Sequence, residues 1–145
     1  MAGRYKSACY CTNLRRSANA ISDFYDNALK AAGVTAAQYH LLSNLSRLGA
    51  ANITHWAEQV GLDRSTMVRN IKLLQSRRLI EAAEGRGKTF ALSSNGRRVL
   101  ELAIPLWQDA QKQIEAVLGA RDGQAVLRIS EKLLGLDRPS EGGPQ

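Results

Sequence analysis

The sequence predicts a mainly α-helical protein with one small β-hairpin. Two observations point to this fold class. Apolar residues recur at spacings of three and four along most of the 145-residue chain, which is the period of an amphipathic helix. The exception is the region 79–92, where two short β-compatible stretches flank residues 84–88, a glycine-containing segment of hairpin-turn length. We therefore expect helices on both sides of a single hairpin.

Two helices are predicted in the first third of the chain. The first covers residues 9–32 and ends at Gly33, because glycine favours the backbone conformation found at helix ends. The second begins after Thr35, whose hydroxyl can cap it, and ends at Gly49. Each carries an apolar stripe, so each is expected to pack one face against a core.

A helix-turn-helix unit is predicted in the middle of the chain. Asn52 or Thr54 can cap a short helix that contributes Trp56 to the core, Gly61 permits the positive φ of a tight turn, and Asp63 can cap the next helix. The residues of this next helix that face the core are Met67, Ile71 and Leu74. Those on its opposite face are Arg64, Ser65, Val68, Arg69 and Lys72. Together with the hairpin that follows, the unit is a winged helix-turn-helix.

Two further helices are predicted after the hairpin. Ser93 or Ser94 can cap the first of them, which carries Trp107 in the dimerisation layer or in an effector pocket. Their apolar stripes, Val99–Val117 and Val126–Leu134, are longer than a unit of this size can cover alone, which predicts dimerisation. The expected parts of the chain are a helical dimerisation layer (residues 1–34 and 94–137), a winged helix-turn-helix DNA-binding domain (residues 35–93) and a disordered tail (residues 138–145).

The charge of the chain favours a polyanionic partner. The net charge is +7 and the pI is about 9.9. Seven basic and two acidic residues lie between Arg64 and Lys88, so that segment alone has a net charge of +5. Such a concentration of positive charge is expected of a surface that contacts the phosphates of double-stranded DNA.

Several other classes of protein are disfavoured by the sequence. No apolar run reaches the roughly 18 residues that suggest a membrane span, and the N-terminus has no apolar signal-peptide segment. The two cysteines, Cys9 and Cys11, are too few and too close for a disulfide framework. His40 and His55 have no further ligands at metal-binding spacing. We therefore expect a cytoplasmic protein with no membrane partner, no metal and no cofactor.

These elements resemble those of the MarR family of transcription regulators over nearly the whole chain. The segment Ser65–Arg69 is similar to the family's recognition helix, and Ala91–Gly96 is similar to its strand-to-helix junction, with Ser93 in place of the usual threonine. Glu84 and Arg86 match the wing positions at which the family has an acid and the arginine that it orients into the minor groove. The resemblance implies a triangular dimer, whose first and last helices form the interface, and control of a promoter by an effector.

Nine candidate DNA-binding residues follow from the helix face, the hairpin and the resemblance. They are Arg64, Ser65, Thr66, Val68, Arg69, Lys72, Glu84, Arg86 and Lys88. In a major groove, an arginine can bond guanine through two donors, hydroxyls can reach bases or phosphates, and Val68 can contact a thymine methyl group. The alternative interpretation is an ordinary solvated basic helix.

Cys9 and Cys11 stand at the start of the first helix, where the helix dipole favours thiolate. A disulfide between them within the helix is not expected, because residues two apart point to nearly opposite sides. In MarR relatives that sense organic hydroperoxides, Cys11 matches the position of the reactive cysteine and Tyr25 that of a tyrosine which bonds it. Other tyrosine positions hold Arg15 and Ala36. The alternative is that both cysteines are small hydrophobic residues buried in a dimer interface.

The leading functional hypothesis is a repressor that binds a pseudo-palindromic operator as a homodimer and is released by a small organic, phenolic effector. The first alternative is a regulator of the same fold that senses peroxide through a thiol. A second is a thiol enzyme using Cys9 or Cys11, although no CxxC pair and no paired histidine accompany them. A third is a winged-helix interaction module that does not bind DNA, against which the basic helix face argues.

Overall fold

The structure, a computed structural model, describes residues 6–137 of the chain. The chain forms two compact units, the first ending at Gln108 and the second beginning at Asp109. The segment predicted to be a disordered tail, residues 138–145, lies outside the described residues. The domain boundaries given above stay a prediction.

The described residues form five α-helices, two short 3-10 helices and three strands. The α-helices are α1 (Tyr10–Leu29), α2 (Ala36–Leu48), α3 (Ile53–Val60), α4 (Arg64–Ser76) and α5 (Ser94–Leu134). The strands are β1 (Ala51–Asn52), β2 (Ile80–Ala83) and β3 (Thr89–Leu92). The 3-10 helices are Lys30–Ala32 and Gly135–Asp137. The predicted fold class, mainly helical with a small antiparallel sheet, is confirmed.

Helix starts show the capping chemistry that the sequence predicts. Thr35 Oγ1 accepts a hydrogen bond from the backbone N–H of Gln38 at 3.2 Å, and the Gln38 side chain accepts one from the N–H of Thr35 at 3.0 Å. Asn52, not Thr54, caps α3 and accepts a hydrogen bond from the N–H of His55 at 2.8 Å. These bonds satisfy N–H groups that have no partner within the helix.

The junction between β3 and α5 depends on two residues of the Ala91–Gly96 segment. Ser93 Oγ accepts a hydrogen bond from the N–H of Gly96 at 2.9 Å and donates one to the carbonyl oxygen of Arg78 at 2.6 Å. A Cβ atom on Gly96 would lie 1.9 Å from the carbonyl oxygen of Leu79. Any larger residue would push α5 away from the chain that follows α4, so glycine is required here.

The sheet contains one strand more than the predicted hairpin. Its order is β1-β3-β2, with β3 paired antiparallel to both neighbours. The β2–β3 pair is the predicted hairpin. Strand β1 was not predicted, because two residues have no alternating pattern, and it forms only through the distant pairs of Ala51 with Phe90 and Asn52 with Thr89.

The core of the first unit lies among α2, α3, α4, the sheet and the beginning of α5. The predicted inward face of α4 is buried, and Trp56 is fully buried as expected. Trp107 stacks on Tyr39, with ring centroids 5.6 Å apart and planes inclined by 20°. Burial raises the pKa of the Tyr39 hydroxyl.

The second unit consists of the C-terminal part of α5 and the 3-10 helix after it. Gly119 interrupts α5 with non-helical backbone angles (φ 76°, ψ 164°), so the chain forms two helical segments, as the sequence predicted. The large apolar side chains of this unit that are exposed include Val117, Val126, Leu127, Ile129, Leu133 and Leu134. None of the helices between residues 6 and 137 combines the length and the apolar character that a membrane crossing needs.

Candidate nucleic-acid interface

The outer face of α4 presents the side chains that the sequence placed on a recognition helix. Burial of Met67, Ile71 and Leu74 turns the opposite face of α4 outward. The candidate residues Arg64, Ser65, Arg69 and Lys72 are exposed, and Thr66 and Val68 are half-buried. This face therefore offers guanidinium, ammonium and hydroxyl groups together with one apolar side chain.

Hydrogen bonds at the first turn of α4 hold one of these arginines. The Asp63 carboxylate accepts hydrogen bonds from Thr66 N at 2.7 Å, from Thr66 Oγ1 at 3.0 Å and from Ser65 Oγ at 3.1 Å. The bonds from Thr66, and then that from Ser65, lower the pKa of the Asp63 carboxyl. Thr66 Oγ1 in turn accepts a bond from Arg69 Nη2 at 3.3 Å. The Asp63 charge thus serves the helix cap, and Thr66 restrains the Arg69 side chain.

Arg64 is directed towards a different element. Its Nη1 donates to Thr54 Oγ1 at 3.2 Å, which links the first residue of α4 to the first turn of α3. In the sequence, Thr54 is an alternative cap of α3 and Arg64 is one residue of the α4 face. No local pattern in the sequence relates residues in two helices in this way.

The wing carries three exposed candidate residues between β2 and β3. They are Glu84, Arg86 and Lys88. The hydrogen bond that holds this turn comes from buried Thr89, whose Oγ1 donates to the carbonyl oxygen of Arg86 at 3.2 Å. A Cβ atom on Gly85 would lie 2.6 Å from Thr89 Oγ1, so glycine lets this contact form. The family resemblance gives the orienting role to Glu84, and no sequence pattern marks Thr89 for a role in this turn.

One of the seven basic residues between Arg64 and Lys88 has a structural role. Arg77 donates to the carbonyl oxygen of Gly33 and, at 3.0 Å, to Gln38 Oε1. It therefore ties the end of α4 to the beginning of α2. These bonds use two of its guanidinium donors within the protein.

Two cavities lie beside α4 in the first unit. The first, called here the apolar cavity, has a volume of about 350 Å³. Its lining includes Ile53, Val68, Ile71, Lys72, Gln75, Ala82, Lys88 and Phe90. The second, called here the basic cavity, has a volume of about 460 Å³. It is lined by Asn52, Ile53, Thr54, Arg64, Arg86, Gly87 and Lys88. Both cavities thus lie against α3, α4 or the wing, and both include candidate DNA-binding residues.

The cysteines lie at the start of α1, as expected. Cys9 is the N-cap residue, and hydrogen bonds from the backbone and then the side chain of Thr12 lower the pKa of its thiol. Both thiols are exposed, and Arg15 Nη2 lies 3.9 Å from Cys11 Sγ. Tyr25 is 14 residues beyond Cys11, about 21 Å along the helix axis, so one protomer does not bring these two together. Among residues 6–137, no group of three or more His, Cys, Asp or Glu side chains is placed to hold a metal ion.

Comparison with solved structures relates this geometry to known regulators. The transcriptional regulator MosR of M. tuberculosis, in complex with DNA, is 26% identical, with a TM-score of 0.77 over 90% of this chain and 99% of its own. BpsR of Bordetella bronchiseptica, whose DNA binding is regulated by 6-hydroxynicotinic acid, is 22% identical, with a TM-score of 0.78 over 90% and 98%. The transcriptional repressor CouR, bound to p-coumaroyl-CoA, is 21% identical, with a TM-score of 0.78 over 90% and 92%.

At their levels of identity, the likeness to BpsR and CouR establishes the fold alone. No curated protein matches the chain by sequence. Residues 34–82, which include α2, α3 and α4, match the MarR family. The chain therefore contains a segment that matches the MarR family over the helix-turn-helix, and it shares the winged-helix fold of these regulators along most of its length.

Proposed function

We propose that the protein is a DNA-binding transcription regulator, a repressor, and not an enzyme. The observation that carries this proposal is the exposed basic face of α4, which stands beside an exposed basic wing. The helix has 13 residues and is about 20 Å long, a size that a major groove accepts. The DNA complex of MosR, the 26% identical relative, supports the same conclusion.

The two halves of this surface have different roles in the proposal. On α4, Arg69 contacts base edges in the major groove, where each base pair presents a distinct pattern of donors and acceptors. In the wing, Arg86 enters a minor groove, whose width and potential vary with sequence but carry a less complete code. The bond from Thr89 to the carbonyl of Arg86 supports a fixed wing turn from which this side chain projects.

The regulator acts as a homodimer on a pseudo-palindromic operator. Leu14, Ile21 and Phe24 of α1 are exposed by 39–47%, and the second unit exposes the apolar residues named above. Apolar surface of this extent favours association, and a two-fold axis would repeat the α4 face once per half-site. Half-site centres about 10 base pairs apart are then expected.

A small organic acid of phenolic type releases the regulator from DNA. The apolar cavity has a volume within the range of small-molecule sites, and Lys72 and Lys88 among its lining residues can pair with a carboxylate. Both lysines also belong to the proposed DNA surface, so a bound acid would compete with phosphates for them. The ligand of BpsR, 6-hydroxynicotinic acid, is a small aromatic acid and supports an effector of this kind.

Selection of genomic fragments tests this function. Fragments of the source genome that bind the protein are recovered and sequenced, and the best site is titrated by fluorescence anisotropy at several salt concentrations. We expect a two-fold-related motif that binds at least about 1,000 times more tightly than unrelated duplex. Recovery of fragments without a shared motif would contradict the proposal.

Thiol-based peroxide sensing is a second candidate function, favoured by the lowered pKa of exposed Cys9. A thiolate that attacks an organic hydroperoxide becomes a sulfenic acid and releases the alcohol. The family resemblance favours Cys11 for this role, and the pKa favours Cys9. Operator binding before and after hydroperoxide, in wild type, Cys9→Ser and Cys11→Ser, distinguishes them. Unchanged wild-type affinity after oxidation would eliminate both.

A further inference from the structure

We propose that the basic cavity binds one phosphate of the DNA backbone, and that Arg64 is a phosphate-binding residue instead of a base-contacting one. The inference rests on the proposed function, because it assigns a part of the same DNA surface. Arg64 and Arg69 share the outer face of α4, but the inference gives Arg64 a different role.

The Arg64 side chain is directed towards α3. Its Nη1 is bonded to Thr54 Oγ1 at 3.2 Å, so the guanidinium is held at the side of α4 that faces α3. A guanidinium has five N–H donors, and this bond uses one of them. The remaining donors suit the paired oxygens of a phosphate, which arginine binds through two parallel hydrogen bonds.

The lining of the basic cavity is positively charged. Arg64, Arg86 and Lys88 all line it, and none of its seven lining residues is acidic. Three cations around one open space repel one another unless an anion lies between them. The hydroxyl of Thr54 and the amide of Asn52 complete a lining that is polar and positively charged.

The basic cavity lies between α4 and the wing. If α4 occupies a major groove and the wing occupies the adjacent minor groove, the sugar-phosphate strand that separates these grooves must pass between them. The basic cavity is lined by the first residue of α4 on one side and by Arg86 and Lys88 of the wing on the other. A backbone phosphate is therefore the group that this space would meet.

Matched arginine variants test the assignment on the operator and on unrelated duplex. Arg64→Ala should weaken binding to both duplexes by the same factor, roughly ten-fold. It should also lower the slope of log Kd against log salt by about 1. Arg64→Lys should keep the slope, because the charge remains. Arg98→Ala, which removes an exposed arginine of α5, should change neither quantity. A changed base preference in Arg64→Ala would overturn the assignment.

Replacing single phosphates of the DNA with a neutral group locates the contact. Operator duplexes with one methylphosphonate at each position in turn are titrated with wild type, Arg64→Ala and Thr54→Val. At one phosphate per half-site, neutralisation should weaken the binding of wild type roughly ten-fold and leave the binding of Arg64→Ala unchanged. The loss of affinity for Thr54→Val should lie between these two. Equal sensitivity of wild type and Arg64→Ala at every phosphate would refute the inference alone. Failure of wild type to bind any duplex would refute the proposed function.

Discussion

At the scale of single residues, Gly96 has the least room for a Cβ atom among the glycines that the structure describes. Gly96→Ala would place a methyl group 1.9 Å from the Leu79 carbonyl oxygen, and backbone must move to relieve this contact. We expect the free energy of unfolding to fall by about 2–3 kcal/mol. Gly123→Ala, in open space within α5, should be neutral or stabilise by up to about 1 kcal/mol. Urea denaturation at one protein concentration measures both, and equal midpoints would contradict the structure.

Asp63 predicts a pH dependence of stability. Its pKa is lowered from the usual 3.8 by hydrogen bonds from Thr66 and Ser65, so the charged form favours the folded state. The stabilisation is present above pH 3.8 and is lost as the pH falls through the lower folded-state pKa. The difference in unfolding free energy between wild type and Asp63→Asn should therefore shrink below about pH 4. A difference that stays constant between pH 7 and pH 2.5 would argue against this cap.

Residues with local roles were predictable from the sequence, and residues with distant partners were not. Thr35 and Asp63 cap helices through bonds to residues three positions further along, so their chemistry is visible in a short segment. Arg77 contacts Gly33, 44 residues away, and Arg64 contacts Thr54 in another helix. Such roles depend on tertiary packing, and an exposed arginine and a structural arginine look the same in a sequence.

At the scale of elements, α4 and the wing should respond differently to loss of an arginine. If Arg69 contacts a base as proposed, Arg69→Ala should cost about 1–3 kcal/mol of binding free energy on the operator and relax the preference at one base pair. If Arg86 enters a minor groove as proposed, Arg86→Ala should weaken binding to the operator and to unrelated duplex more evenly.

Binding to an operator library with each base pair varied provides the comparison. Arg69→Ala should alter the profile at the contacted position in each half-site, whereas Arg86→Ala should lower all affinities together. Identical profiles for the two variants would contradict the assignment of base recognition to α4 and of minor-groove binding to the wing.

Element boundaries followed the sequence where periodicity and capping agree. The hairpin was visible because two apolar stretches flank a glycine turn, and α4 was visible because Met67, Ile71 and Leu74 repeat at helical spacing. Strand β1 has neither signal and exists through its pairing with β3. The role of Thr89 in the wing was hidden for a similar reason, since its partner is a backbone carbonyl, which every residue has.

At the scale of the whole molecule, the exposed apolar residues predict a dimer. Wild type should sediment as a dimer at micromolar concentration. Ile129→Asp combined with Leu133→Asp places charges on residues that are 46% and 39% exposed, and should yield monomers. Glu131→Gln, on the same helix, is the control and should remain dimeric. A folded wild-type monomer in sedimentation equilibrium would contradict the proposed assembly.

The most direct test of the central claim is the salt dependence of binding to duplex DNA. A selected genomic site and an unrelated duplex of equal length are titrated with wild type between 50 and about 200 mM salt. We expect tight, site-selective binding whose affinity for the site falls by roughly 1,000-fold or more over that range, because several phosphate contacts are made. Absence of duplex binding at 50 mM salt, or equal affinity for both duplexes, would contradict it.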